Sequence, residues 1–321
     1  MKRILTFALL LLISSLVYAQ VARDTSFTVY SAFVKAYKKQ PFISIVYPSL
    51  PHSVIADTGK VYCTLAGHAL HADVFYPHKL GHKARPAILL IHGGGWRSGS
   101  RDQQVPMAQQ LAARGYVTTT VEYRLSPEAK YPAAVYDLKS AIKWVRLHAK
   151  DYGINKNKIA VLGCSAGGQL AALLGTTNGL SAFEGNECNN SEESTVNAIV
   201  DIDGILAFTH PESGEGDESK GISAAAYWLG ATRAENPLLW QDASALNHVN
   251  QSTPPILFIN SSVARMHAGR DDMMRKLDTL GIYHEVHTFT DAPHPFWLFE
   301  PWFKPTVKYV VDFLDKVFDY K

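Results

Sequence analysis

Net charge is almost absent from this chain: 31 Lys and Arg stand against 29 Asp and Glu over 321 residues, a formal +2. No basic or acidic block relieves that balance, so nucleic acid and anionic membrane surfaces are not expected as partners. Cysteine is scarce too. Cys63, Cys164 and Cys188 are an odd set and make a poor disulfide framework. A Cys63–Cys188 bridge is permitted in an oxidising compartment, but no feature of the sequence demands one. Cys164 is expected to pack under a sheet. Internal repeats and low-complexity segments are missing, which excludes solenoid and fibrous architectures. No H-E-x-x-H or other tight His/carboxylate spacing occurs, so metal catalysis is not expected, and no cofactor is called for. Past the first 19 residues no apolar run is long enough to span a bilayer.

What is present begins with a leader pattern. Lys2 and Arg3 give a basic start, Leu5 to Val17 is an apolar run, and Val17-Tyr18-Ala19 is a small-x-small cleavage site. Residues 1–19 read as a signal peptide, with the mature chain starting at Gln20 and exported to the periplasm or beyond. No cysteine follows the run, so a lipoprotein anchor is not indicated. Residues 20–60 are mixed, with Ile43–Tyr47 strand-like, and read as an N-terminal extension; 61–321 read as the main domain. Hydrophobic residues make up 47% of the chain, enough to fill one large core.

From Val61 onward, strands and helices alternate. Val61–Leu65 and Leu70–Tyr76 alternate as half-buried strands, with no helix between them. Pro86–Ile91 and Lys158–Leu162 are continuous apolar runs, as in strands buried on both faces. Helical periodicity marks Met107–Arg114, Tyr131–Tyr152, Asp271–Leu280 and Val307–Phe318. Strands are also expected at Tyr116–Tyr123, Asn197–Ile205, Ile256–Ile259 and Tyr283–Phe289, the last of these being the final strand. This order predicts an α/β protein whose central sheet is mostly parallel, with helices on both faces and an antiparallel N-terminal edge.

Three motifs carry chemistry. Gly163-Cys164-Ser165-Ala166-Gly167 reads G-x-S-x-G between a strand and a helix, where a strained turn exposes the serine hydroxyl above the sheet. Glycines two before and two after the serine leave room for neighbouring backbone. His92-Gly93-Gly94-Gly95-Trp96 ends a central strand. Glycines there let backbone N–H groups approach a developing oxyanion, and the N–H groups of Gly94, Gly95 and Ala166 are the expected donors. Asp291-Ala292-Pro293-His294-Pro295-Phe296 sits before the last helix. His294 is the expected base, since a serine hydroxyl is a poor nucleophile without one. His284 and His287 lie on a strand and read as structural.

Together with Tyr123–Pro127 and Asp137, these motifs resemble the α/β-hydrolase superfamily over roughly Val61 to Phe318. Within it the chain is most similar to hormone-sensitive-lipase-like esterases and secreted bacterial acetyl and feruloyl esterases. The resemblance implies a Ser–acid–His triad in that chain order, which Ser165 and His294 respect. The acid departs from the pattern. Ser262 occupies the position where the resemblance places an aspartate. Asp203, one strand earlier, is the first substitute; Glu212, Asp271 and a two-residue Ser–His dyad are the alternatives. Arg265 and His267, with Arg270, follow the strand that lacks the acid and are expected to bind substrate, as a sugar hydroxyl or uronic acid would require. Trp96 is expected to offer a stacking surface.

The leading expectation is a secreted serine esterase acting on acetyl or feruloyl esters of plant polysaccharides or oligosaccharides. A short-chain carboxylesterase or peptidase of the same fold is the second, and an inactive binding module the third. The sequence leaves the oligomeric state unspecified.

Overall fold

A computed structural model describes residues 24–79, 83–216, 219 and 221–320. The expected signal peptide and the start at Gln20 lie outside these. The central strands form because their residues are apolar on both faces. In β6, Ile154–Cys164, the side chains of Ile159 and Val161 enter the core on one side of the sheet, while Ala160, Leu162 and Cys164 enter the other. β4, Arg85–Ile91, divides Leu89 and Ile91 from Ile88 and Leu90 in the same way. Such a strand needs a layer of helices on each side.

Among the described residues, eight strands join in one sheet. In chain order they are β2 (Val54–Leu65), β3 (His68–Pro77), β4, β5 (Val117–Val121), β6, β7 (Ala198–Ile202), β8 (Ile256–Asn260) and β9 (His284–Thr288). Their spatial order is β2-β3-β5-β4-β6-β7-β8-β9. β2 and β3 run antiparallel at one edge, and β5 through β9 with β4 are mutually parallel. This is the α/β-hydrolase arrangement, with the antiparallel N-terminal edge in place.

Four departures from expectation bear on how the elements are joined. β2 begins at Val54, so the division expected between residues 60 and 61 falls inside a strand. The long helix expected over 131–152 is two, α3 (Ala133–Leu147) and α4 (Ala149–Tyr152), with His148 between them. A helix, α1 (Val29–Tyr37), forms in the N-terminal segment, where Thr28 caps it by accepting from the Ser31 N–H at 3.0 Å. Finally β9 is not the last strand: β1 (Ser44–Ile45) pairs with β10 (Phe299–Glu300), beyond the His294 loop.

The cysteines divide as their surroundings dictate. Cys164 is fully buried, and burial pushes its thiol well above the ordinary range. Cys63 and Cys188 are joined in a disulfide.

Candidate active site

The serine turn is shaped by close packing. A Cβ on Gly163 would lie 1.8 Å from the Gly167 carbonyl oxygen, and one on Gly167 would lie 2.3 Å from that of Ile91. Only glycine fits at either place. Between them Ser165 takes φ 57°, and its N–H donates to the Ile202 carbonyl at 2.8 Å. Ser165 stands at the N-cap of α5, Ala166–Thr176, yet its hydroxyl does not cap that helix. It faces His294 instead: Ser165 Oγ donates to Nε2 at 2.8 Å.

The other ring nitrogen, Nδ1, lies 2.9 Å from Asp203 Oδ2. A carboxylate there fixes the tautomer with the proton on Nδ1, leaving Nε2 to accept from the serine. Asp203 is completely buried just past β7 and also strained, at φ 52°. Its second oxygen accepts the Ser261 N–H at 2.8 Å, so both oxygens are held. The His294 loop is pinned from the same strand end, where Ser262 donates to the Ala292 carbonyl through its N–H at 3.2 Å and its Oγ at 2.9 Å. The position expected to hold the acid therefore helps hold the loop that presents the histidine. Glu212 is paired with His210 at 3.4 Å and Asp271 with Arg270 at 2.8 Å, so neither serves the triad.

The glycine triplet packs directly on the nucleophile. A Cβ on Gly93 would sit 2.8 Å from the Cys164 carbonyl oxygen and 3.1 Å from Ser165 Cβ. Gly94 takes φ 124°, and its carbonyl accepts from Ser98 N–H at 3.1 Å and Ser98 Oγ at 2.9 Å, which closes the turn. Among the described residues, the N–H groups of Gly94, Gly95 and Ala166 have no protein acceptor. That leaves them free for a substrate oxygen at the positive end of α5. Trp96, Ser165 and Asp203 are three of the six non-glycine residues at positive φ among those described, so backbone strain is concentrated at this site.

Trp96 is not a substrate surface. It is 4% exposed, stacks on Trp228 with ring centroids 5.0 Å apart, and meets Phe208 edge-on. Its Nε1 donates to Gln169 Oε1 at 3.0 Å, tying the glycine turn to α5. The sequence shows an aromatic beside the catalytic turn but not which way it points, and a positive φ at Trp96 turns it into the core. Arg265 is exposed but ion-paired with Glu215 at 3.4 Å. His267 is half-buried, and burial together with Arg270 holds its pKa below the usual range. Neither residue hydrogen-bonds to the triad among the described residues.

Residues 72–266 match the BD-FAE family, more than half of the chain. The chain belongs to that family. Across 191 residues this BD-FAE protein is 31% identical to the esterase LipC of Mycobacterium tuberculosis, over 59% of this chain and 47% of LipC. It is 28% identical to the probable carboxylic ester hydrolase LipM of the same organism, over 70% of this chain and 53% of LipM. The chain thus spans about half the length of these curated relatives. Among solved structures it resembles a truncated carbohydrate esterase from gut microbiota, with TM-score 0.70 and 25% identity, covering 85% of this chain and 99% of that one. Thermogutta terrifontis esterase 2 phosphoramylated by tabun is similar too, with TM-score 0.68 and 26% identity over 84% of this chain and 96% of that one.

Proposed function

We propose that this protein is a serine esterase that removes acetyl or feruloyl groups from plant polysaccharides or their oligosaccharides, and that it acts after export. The observation that carries this reading is the continuous relay from Asp203 through His294 to Ser165, at 2.9 and 2.8 Å, beside three N–H groups without an acceptor among the described residues. Ser165 Oγ attacks the ester carbonyl carbon while its proton passes to His294 Nε2. Asp203 stabilises the imidazolium that forms. The carbonyl oxygen takes up negative charge against the N–H groups of Gly94, Gly95 and Ala166, each worth about 3–4 kcal/mol in such a site. Collapse expels the alcohol, which takes the proton from Nε2 and leaves an acyl-Ser165. Water then repeats the sequence, releasing the acid and restoring the serine.

The carbohydrate part of the reading is supported by the gut carbohydrate esterase among the structural neighbours. Export is supported by the leader pattern and by the Cys63–Cys188 disulfide, a bond that persists in oxidising compartments. The test is a panel of acetylated xylan, acetylated pectin, feruloylated arabinoxylan and p-nitrophenyl esters, read as released acid or phenol. Ser165→Ala should fold normally and lose ester hydrolysis, and a fluorophosphonate should label Ser165 alone. Residual activity within about tenfold of wild type would remove Ser165 from the mechanism.

A further inference from the structure

Two cations share one aromatic ring beside the oxyanion turn. The Arg97 guanidinium carbon lies 5.0 Å from the centroid of the Tyr227 ring, and Lys130 Nζ lies 3.5 Å from the same point. Both elements of this cluster are tied to the oxyanion donors. Arg97 N–H donates to the Gly94 carbonyl at 3.3 Å, so Arg97 belongs to the turn itself. Tyr227 lies on the short helix α6, Ala224–Leu229, whose Ala224 Cβ would be 3.6 Å from a Cβ on Gly95. Lys130 is placed by the other end of α6. Its Cγ would be 3.3 Å from a Cβ on Gly230, and the next residue, Tyr131, donates its N–H to the Trp228 carbonyl at 3.0 Å.

The charges do not cancel. Arg97 Nε meets Asp24 at 2.6 Å, and Asp24 also accepts the Ser26 N–H at 2.8 Å. Lys130 has no carboxylate in ion-pair range among the described residues. One positive charge therefore remains unmatched. Burial and repulsion from Arg97 hold the Lys130 ammonium below its ordinary pKa, a strain that a bound anion would relieve. Like charges held close over a half-buried tyrosine suit an anionic group on a sugar ring: Lys130 takes the carboxylate with Arg97 beside it, and the tyrosine supplies apolar surface.

We propose that Arg97, Lys130 and Tyr227 form a subsite for a uronic acid next to the ester being cleaved. The proposal names the substrate class within the esterase reading and rests on it. In this geometry the carbonyl oxygen points at Gly94 and Gly95, and the acidic sugar lies on the same side, against α6.

The experiment compares kcat/KM for an acetylated methyl glucuronide with that for the matching acetylated methyl glucoside. Wild type should favour the acidic substrate by about tenfold at low ionic strength, with the preference shrinking in about 0.5 M NaCl. Lys130→Gln and Tyr227→Leu should each lower the ratio about fivefold or more. No preference in wild type, or a ratio unmoved by Lys130→Gln, overturns the subsite. p-Nitrophenyl acetate is the control for the reading beneath it. If no ester is hydrolysed at all, the esterase reading fails, and the subsite is decided by titrating glucuronate and glucose onto the Ser165→Ala protein. Glucuronate binding that Lys130→Gln weakens supports the subsite; no selectivity for glucuronate sinks it.

Discussion

Asp201 and Asp203, two residues apart at the end of β7, are both fully buried and opposite in kind. Asp203 has a donor on each oxygen, His294 on one and Ser261 on the other. Among the described residues, Asp201 has only the Gly204 N–H at 2.9 Å, and its Oδ2 is buried without a partner. Burial, and then the charge of Asp203, push the Asp201 carboxyl well above the usual range, which favours its neutral form. The folded chain thus keeps a proton that the unfolded chain releases above a pH of about 4. Its contribution to stability is full below that pH and is lost as pH rises toward the folded pKa. Asp201→Asn keeps the acceptor for Gly204 and stays neutral in both states. Its Tm relative to wild type should therefore climb between pH 5 and pH 9, and parallel melting curves would refute the neutral acid. Asp203→Asn has the opposite consequence. The amide cannot hold the reactive tautomer, and kcat should fall by about 10⁴. Adding Ser262→Asp to that variant places a carboxylate where the resemblance expected one, beside Ala292 of the histidine loop. At least about tenfold of the lost rate should return, and no recovery would show that the loop cannot use that strand end.

At the scale of elements, the N-terminal segment works as a strap across the site. Asp24 pairs with Arg97 in the oxyanion turn, Gln40 Nε2 donates to the Asp291 carbonyl, and β1 zips onto β10. Val46 N–H adds a bond to the Leu298 carbonyl at 3.0 Å. The histidine loop, residues 291–298, is thus held by Ser262 on one side and by the strap on the other. Gln40→Ala should loosen His294 without touching substrate, lowering kcat about three- to tenfold with KM little changed. A change in KM alone would assign Gln40 to binding instead. The strap was legible only in part. Ile43–Tyr47 reads as strand-like and β1 falls within it, but the nine-residue helix shows too little periodicity to stand out, and only the long-range pairing with β10 defines the strap. The serine turn was legible, because G-x-S-x-G is a local steric requirement, met by Gly163 and Gly167 against specific carbonyls. Asp203 as the partner of His294 was readable as a carboxylate at the strand end one earlier than the usual place, a placement the resemblance allows, but only the fold separates it from Glu212 and Asp271. The direction of Trp96 was not readable, because a positive φ leaves no trace in residue type.

Over the whole molecule, the catalytic rim is one end of a sheet whose antiparallel edge, β2 and β3, carries a further fastening from the far side. The loop between α5 and β7, residues 177–197, crosses to that edge and is fastened at both levels. From α3, Lys139 reaches the Leu174 and Thr177 carbonyls and Glu184, while Lys143 reaches Glu184 and Asn190. Lys139 is fully buried, and burial holds its ammonium below the ordinary pKa, with Glu184 opposing the shift. The sequence shows these lysines as an ordinary polar face; only the returning loop makes them interior. The covalent fastening is Cys63 on β2 to Cys188 in the loop, with Asn189 Nδ2 donating to the Tyr62 carbonyl at 2.8 Å beside it. The bridge spans a sequence separation of 125. Closing a loop of that size removes unfolded-chain entropy equivalent to about 4–5 kcal/mol. The edge it secures is remote from Ser165, so the loss should fall on stability and not on chemistry. Cys63→Ser/Cys188→Ser should lower Tm by roughly 10 °C in a protein of this size. Reductant should move wild type toward the same Tm, with kcat and KM at room temperature unchanged in both. A Tm indifferent to both changes would mean that the α3 lysines alone hold the loop.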